Sequence, residues 1–96
     1  MKITTEDKKW REKVYAKYGK FCSYCHTTLN LNCHHIFSRR IKSIRHYVPN
    51  GIILCAKHHL LSTEFSAHQT PTSFTLWVIK KLGKKWYNNL EKKKNE

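Results

Sequence analysis

Acidic side chains are scarce in this chain, and their placement excludes more than their number does. Six Asp and Glu stand against nineteen Lys and Arg. Glu6, Asp7 and Glu12 lie near the N-terminus and Glu91 and Glu96 near the C-terminus; between residues 13 and 90 only Glu64 is acidic. Hydrolytic sites that hold two metal ions on several carboxylates are thereby nearly excluded. Any metal in the middle of the chain must rely on His and Cys. Long apolar runs are missing too, so no segment is expected to span a bilayer. The opening stretch Met1 to Lys9 is polar and charged, unlike a secretory leader, which favours a cytoplasmic location. There is no internal repeat and no Gly/Ser-rich linker. Residues 1–96 therefore read as one domain, whose small core calls for a metal or disulfides as an additional constraint.

What is present is positive charge. A formal net charge of +13 on 96 residues sets up a field that attracts polyanions, and nucleic acid is the expected partner. A basic protein of a membrane surface would need an amphipathic helix with a broad exposed apolar face, which the pattern does not supply, so no membrane partner is expected. Monomer and homodimer both remain open.

The periodicity outlines α+β elements. Thr4 or Thr5 can cap a first helix over about 5–18, with Glu6 and Asp7 in its first turn and Trp10, Val14 and Tyr18 as its apolar stripe. Gly19 suits its end. KFCSYCH at 20–26 forms a tight turn, Leu29 to Phe37 a strand, and Phe37 to Tyr47 a basic loop. Pro49-Asn50-Gly51 makes a turn before a short apolar strand, Ile52 to Leu54. A helix is expected from Cys55 or Ala56 to about Ala67. A further helix starts at Thr70-Pro71, buries Phe74, Trp77 and Val78, and ends at Gly83; Trp86 and Leu90 mark a last one, so the flanking helices occupy about 71–92.

Cys22-x2-Cys25 and Cys55-x2-His58 are paired ligand sets that can close a tetrahedral site of three thiolates and one imidazole, the donor chemistry of structural Zn²⁺. Binding would tie the strand-loop-strand unit to the helix that follows it and supply much of the folding free energy. His59 is the alternative fourth ligand, although the spacing from Cys55 favours His58. Cys33 stands outside the set as a small strand residue that could replace one ligand. Two disulfides in a secreted protein are the competing use of four cysteines, less consistent with C-x-x-C among histidines.

His34, His35, Asn50 and His59 then remain, spread over strand, turn and helix. With the C-x-x-C, CHHIF at 33–37, PNGIILC at 49–55 and KHH at 57–59 resembles the HNH endonuclease pattern, over residues 22–59 and in the same order. The resemblance implies a small ββα-metal (His-Me finger) core, spanning about 20–68, in which a structural zinc staples two antiparallel strands and a helix around one catalytic divalent ion. It implies His34 and His59 as ligands of that ion, His35 as general base and Asn50 as the brace of the strand-to-strand loop. A further helix ligand found in some members falls here on Thr63. The implied activity is metal-dependent hydrolysis of DNA phosphodiester bonds with Mg²⁺, Mn²⁺, Ni²⁺ or Zn²⁺, leaving 5′-phosphate and 3′-hydroxyl ends. A neutral imidazole suits the general base, since it titrates near working pH. His34 and His35 are adjacent, however, and would face opposite sides of a straight strand, so a bend is required for both to serve one centre.

Arg39, Arg40, Lys42 and Arg45 crowd the loop after the histidine pair and are the candidate phosphate-binding side chains. Lys80, Lys81, Lys84 and Lys85 offer diffuse backbone attraction. EFSAHQTPTSFTLWV at 64–78 is similar to small phage and prophage HNH proteins, including the NinG-type recombination nucleases, and leaves His68 as an accessory candidate. The other use of such a chain is a non-catalytic zinc-finger protein that only holds nucleic acid.

Overall fold

The computed structural model describes residues 2–96. It is a small α+β arrangement: α1 (Thr5–Tyr18), β1 (Leu31–His35), β2 (Gly51–Cys55), α2 (Pro71–Leu82) and α3 (Lys84–Lys94), with a 3₁₀ turn at Val48–Asn50 and a π-helical turn at Lys57–Leu61. The strands pair antiparallel, with Cys33 opposite Ile53, His34 opposite Ile52 and His35 opposite Gly51.

The pleat of this ribbon decides what goes where, because successive side chains leave on opposite faces. Cys33 and Ile53 pack on one face with Trp10 and Val14 of α1. Ile52 and Leu54 leave on the other, where they meet Phe74 and Val78 of α2. All five residues of β2 are buried. The ribbon is thus a middle layer between α1 and α2, and each large apolar side chain removed from water contributes about 1.5–3 kcal/mol.

Helix α1 begins with a reciprocal cap. The Asp7 amide donates to Thr4 Oγ1 at 3.1 Å and the Thr4 amide donates to Asp7 Oδ2 at 2.9 Å, which satisfies donors that a helix start leaves free. Of the two threonines considered, Thr4 is the cap. The helix approaches β2 closely at Gly51: a Cβ there would lie 2.7 Å from carbons of both Trp10 and Val14. Only hydrogen fits. Gly19 and Gly83, at φ +90° and +97°, end α1 and α2 in a region that L side chains rarely adopt.

The helix expected from residue 55 or 56 to about 67 is cut to the single turn Lys57–Leu61. Side chains that compete for backbone hydrogen bonds stop it. Ser62 Oγ accepts from the amides of Glu64 and Phe65 at 3.2 and 3.1 Å, Ser66 Oγ donates to the Ser62 carbonyl at 2.8 Å, and Thr70 Oγ1 accepts from the Ser66 amide at 3.0 Å. The loop folds back on the helical turn: the Ala67 and His68 amides donate to the carbonyls of His58 and His59 at 2.9 and 3.0 Å. No helix among the described residues is long and apolar enough to cross a membrane.

Candidate metal centres and the imidazole cleft

Cys22, Cys25, Cys55 and His58 converge, with one ligand atom from each lying within 4.8 Å of all the others. The turn at 22–25 is held by the Cys22 amide on the Thr27 carbonyl at 2.9 Å and the His26 amide on the Cys22 carbonyl at 2.8 Å. The second pair comes from the end of β2 and the helical turn. Cys25 Sγ lies 3.8 Å from Cys55 Sγ, and His58 Nδ1 lies 3.3 Å from Cys55 Sγ and 3.9 Å from Cys22 Sγ. A tetrahedron with metal–sulfur bonds of ~2.3 Å has edges of ~3.8 Å, so this donor set fits a single ion such as Zn²⁺. The Tyr24 amide donates to Cys22 Sγ at 3.4 Å. Burial pushes the Cys22 thiol up, but amide contacts from residues 25, 55 and 24 outweigh it and leave the thiol below its ordinary value. Tyr24 stacks on Phe65 with ring centroids 4.1 Å apart and meets Trp77 edge-on, so aromatic rings flank the centre. Cys33 stands apart: its Sγ donates to the Arg11 carbonyl at 3.9 Å, and all four cysteines are free.

The neighbouring histidine turns the other way. His59 joins His34 and His68 in a second cluster, again with ligand atoms within 4.8 Å of one another. Ring centroids are 4.9 Å apart for His34 and His59, 4.8 Å for His59 and His68, and 5.5 Å for His34 and His68. Burial, then the neighbouring imidazoles of His59, His68 and His35, pushes His34 down to about 3. Burial followed by His68 pushes His59 down to about 4. Both rings are therefore neutral near pH 7 and keep a lone pair for a metal. His59 Nδ1 lies 3.0 Å from Asn32 Oδ1. That oxygen can only accept, so Nδ1 carries the proton and Nε2 is the nitrogen left to ligate.

His35 leaves β1 on the α1 face. Its ring stacks on the Trp10 indole, centroids 3.9 Å apart and planes 10° from parallel. It nevertheless lines the same cleft as His34, His59, His68 and Arg39, a hollow of about 470 Å³. The stagger foreseen for adjacent strand residues is real, and His35, which ends the strand, is nonetheless among the residues that line the cleft. His35 Nε2 lies 2.9 Å from the Arg45 carbonyl. Since a carbonyl only accepts, Nε2 donates and Nδ1 holds the free lone pair. Burial lowers the His35 pKa, with the Arg45 carbonyl opposing that shift.

Asn50 is fully buried beneath this loop. Its Oδ1 accepts from the Phe37 amide at 2.8 Å, while Nδ2 donates to the carbonyls of Phe37 and Ile44 at 3.1 and 3.2 Å. The side chain ties Phe37 at the start of the loop to Ile44 within it, and Asn50 is not among the residues lining the cleft.

The basic loop divides. Arg39 lines the cleft, and its Nε is buried with no hydrogen-bond partner among the described residues. Arg40 and Lys42 are exposed. Arg45 turns to Asp7 instead, donating through Nε at 3.0 Å and Nη2 at 2.7 Å. Asp7 also meets His46 Nε2 at 2.8 Å and Arg39 Nη2 at 3.4 Å, and the Arg45 guanidinium holds its carboxyl well below the usual carboxylate range.

His68, Asn32 and Asp7 carry no signal of a site in the sequence, or only a weak one. His68 has no spacing signal, because the returning loop places it. Thr63, the residue named above at the position of a further helix ligand, lies beyond the end of the helical turn. Asn32 reads as an ordinary exposed strand residue, and Asp7 as an acid in a helix's first turn. Comparison of the chain with protein-family models, with curated proteins and with solved structures found no match.

Proposed function

We propose that the chain is a metal-dependent endonuclease of the HNH, ββα-metal kind, hydrolysing phosphodiester bonds in DNA. The observation that carries this reading is the meeting of three imidazoles, His34, His59 and His68, in a cleft that His35 also lines. Here β1, β2 and the helical turn stand for the two strands and the helix of that core. A divalent ion held by His34, His59 and His68 would supply Lewis-acid polarisation of a phosphate and its leaving oxygen. Of the candidate ions, an all-imidazole set suits Ni²⁺ and Zn²⁺ best.

The chain's own residues do the rest. His35 takes a proton from water at Nδ1, while Nε2 keeps its proton on the Arg45 carbonyl and the Trp10 stack holds the ring plane. The lowered pKa keeps the ring neutral at neutral pH and available as a base. Arg39 places positive charge at the cleft wall, where it attracts phosphate, while its Nη2 is held by Asp7 and the Lys2 carbonyl. Asn50 acts at one remove, by fixing the loop that carries Arg39 and Arg45.

Nicking of supercoiled plasmid with each added divalent ion tests this. The parent chain is expected to nick, and His35→Ala to lose about 10²–10⁴-fold in rate, with circular dichroism and bound zinc unchanged. No nicking with any ion would leave a zinc-stapled nucleic-acid binder, and undiminished nicking by His35→Ala would remove the assigned base.

A further inference from the structure

The imidazole cleft does not end at the imidazoles. It shares Cys33 and His59 with a second hollow, lined also by Asn32. The second shares Arg11, Tyr15 and Leu31 with a third, which adds Lys8 and Lys20. Residues shared between neighbours set the three hollows side by side, a groove in outline from His34 past the flank of β1 to α1. On the helix, Lys8, Arg11, Glu12 and Tyr15 recur at i, i+3, i+4 and i+7, which places them in one stripe. That stripe lies beside the buried one of Asp7, Trp10 and Val14, so packing α1 on the ribbon turns it toward the groove.

We propose that this groove is the track of a nucleic-acid strand, with Lys8, Arg11 and Lys20 on successive phosphates and Tyr15 and Leu31 as its apolar floor. The track deepens the nuclease reading and rests on it for what happens at the imidazole end. Three cations face one acid, Glu12, and none of the three forms an ion pair among the described residues. The part of α1 that lines the groove, Lys8 to Ala16, is about 13 Å long. A strand advancing ~3.4 Å per nucleotide would lay about four along it. An aromatic ring in a basic groove gives sugar and base surfaces something to lie on, which an acidic peptide would not use. None of these positions belongs to the basic loop that sequence reasoning singled out for phosphate contact. The track is a second, independent grip.

Fluorescence anisotropy with a labelled 20-nucleotide oligomer, single-stranded and duplex, tests the track in the zinc-loaded full chain carrying His35→Ala, so that no strand is cut. Lys8→Ala, Arg11→Ala and Lys20→Ala together are compared with Lys84→Ala, Lys85→Ala and Lys92→Ala, three exposed lysines of α3, after checking helix content and zinc. The groove variant is expected to bind at least 10-fold more weakly near 0.1 M salt and to lose roughly 2–3 from the slope of log Kd on log salt for duplex. The α3 variant is expected to shift less than 3-fold. Equal weakening by both variants, or groove-variant binding within 3-fold of its parent, overturns the track. So does competition by polyglutamate as effective as by unlabelled oligomer at equal charge. If the triple variant loses helix content, Arg11→Gln and Lys20→Gln singly are each expected to lower the slope by about 0.9, and no change in either overturns the track. Selective loss with a parent chain that never nicks plasmid supports the track and removes the nuclease reading; nicking with no selective loss does the reverse.

Discussion

Asp7 shows how much one carboxylate can organise. It is 3 % exposed, closes the reciprocal cap at the start of α1, and receives hydrogen bonds from Arg45, Arg39 and His46. Arg45 lies next to His46 in the loop and gives its own carbonyl to His35 Nε2. Asp7 therefore reaches the proposed base through one residue, while Trp10, one turn along the same helix, stacks on that base and donates to the Tyr47 carbonyl at 3.0 Å. Asp7→Asn keeps the shape and part of the cap but leaves two guanidinium groups without their counter-charge. Breaking a buried pair from one side costs about 3–5 kcal/mol. The cost here is expected at about 3, since Arg39 and His46 can turn to water. Urea denaturation of the variant at neutral pH checks this, and a midpoint equal to the parent's would show that the carboxylate is dispensable.

At the scale of elements, the Cys22, Cys25, Cys55 and His58 cluster, which could hold a structural ion, brings the 22–25 turn, the end of β2 and the helical turn together. The 22–25 turn and the end of β2 meet through Cys25 and Cys55 at 3.8 Å and through the Ser23 amide on the Ile53 carbonyl at 2.8 Å. Zinc bound by three thiolates and an imidazole is worth about 10–16 kcal/mol in small zinc modules, comparable to the whole stability of a domain. Cys55→Ser, or a strong chelator, is expected to abolish cooperative thermal unfolding, and Cys33→Ser to retain both it and one zinc per chain. Native mass spectrometry with calorimetry distinguishes the two. The Cys22/Cys25 and Cys55/His58 pairs were legible in the sequence because each lies within one turn, where spacing dictates geometry. The strands and α1 to α3 were legible for the same reason: alternation, apolar stripes, Thr4, Pro71 and the glycines act locally. The π-helical turn was not, because Ser62, Ser66 and Thr70 break the helix by hydrogen bonds that apolar periodicity does not register. His68 and Asp7 owe their roles to chain returns that bring His68 beside His59 and Arg45 beside Asp7, and no spacing rule reports a return.

Across the whole molecule, the +13 charge and the neutral imidazoles make pH a sensitive variable. His34 and His59 titrate at about 3 and about 4 in the folded chain, against 6.5 when unburied. Between those limits the unfolded chain binds protons that the folded one refuses, so stability rises with pH. The contribution is complete above about pH 6.5 and is lost as pH falls through the folded values. Asp7 acts lower: its folded pKa lies below the ordinary 3.8, so its support is present above that value and fades only beneath it. The two effects therefore separate on the pH axis. In the window from 6.5 to 4, His34 contributes a slope of at most about 1.4 kcal/mol per pH unit, and the more open His59 less. Replacing both by glutamine removes two titrating groups while leaving the thiolates and His58 in place. Urea midpoints measured from pH 7.5 to 4 are expected to fall steeply for the parent chain and more gently for the double variant. Parallel curves would show that these imidazoles accept protons in the folded chain as readily as in the unfolded one, and the picture of a partly buried, neutral imidazole pair would fall with them.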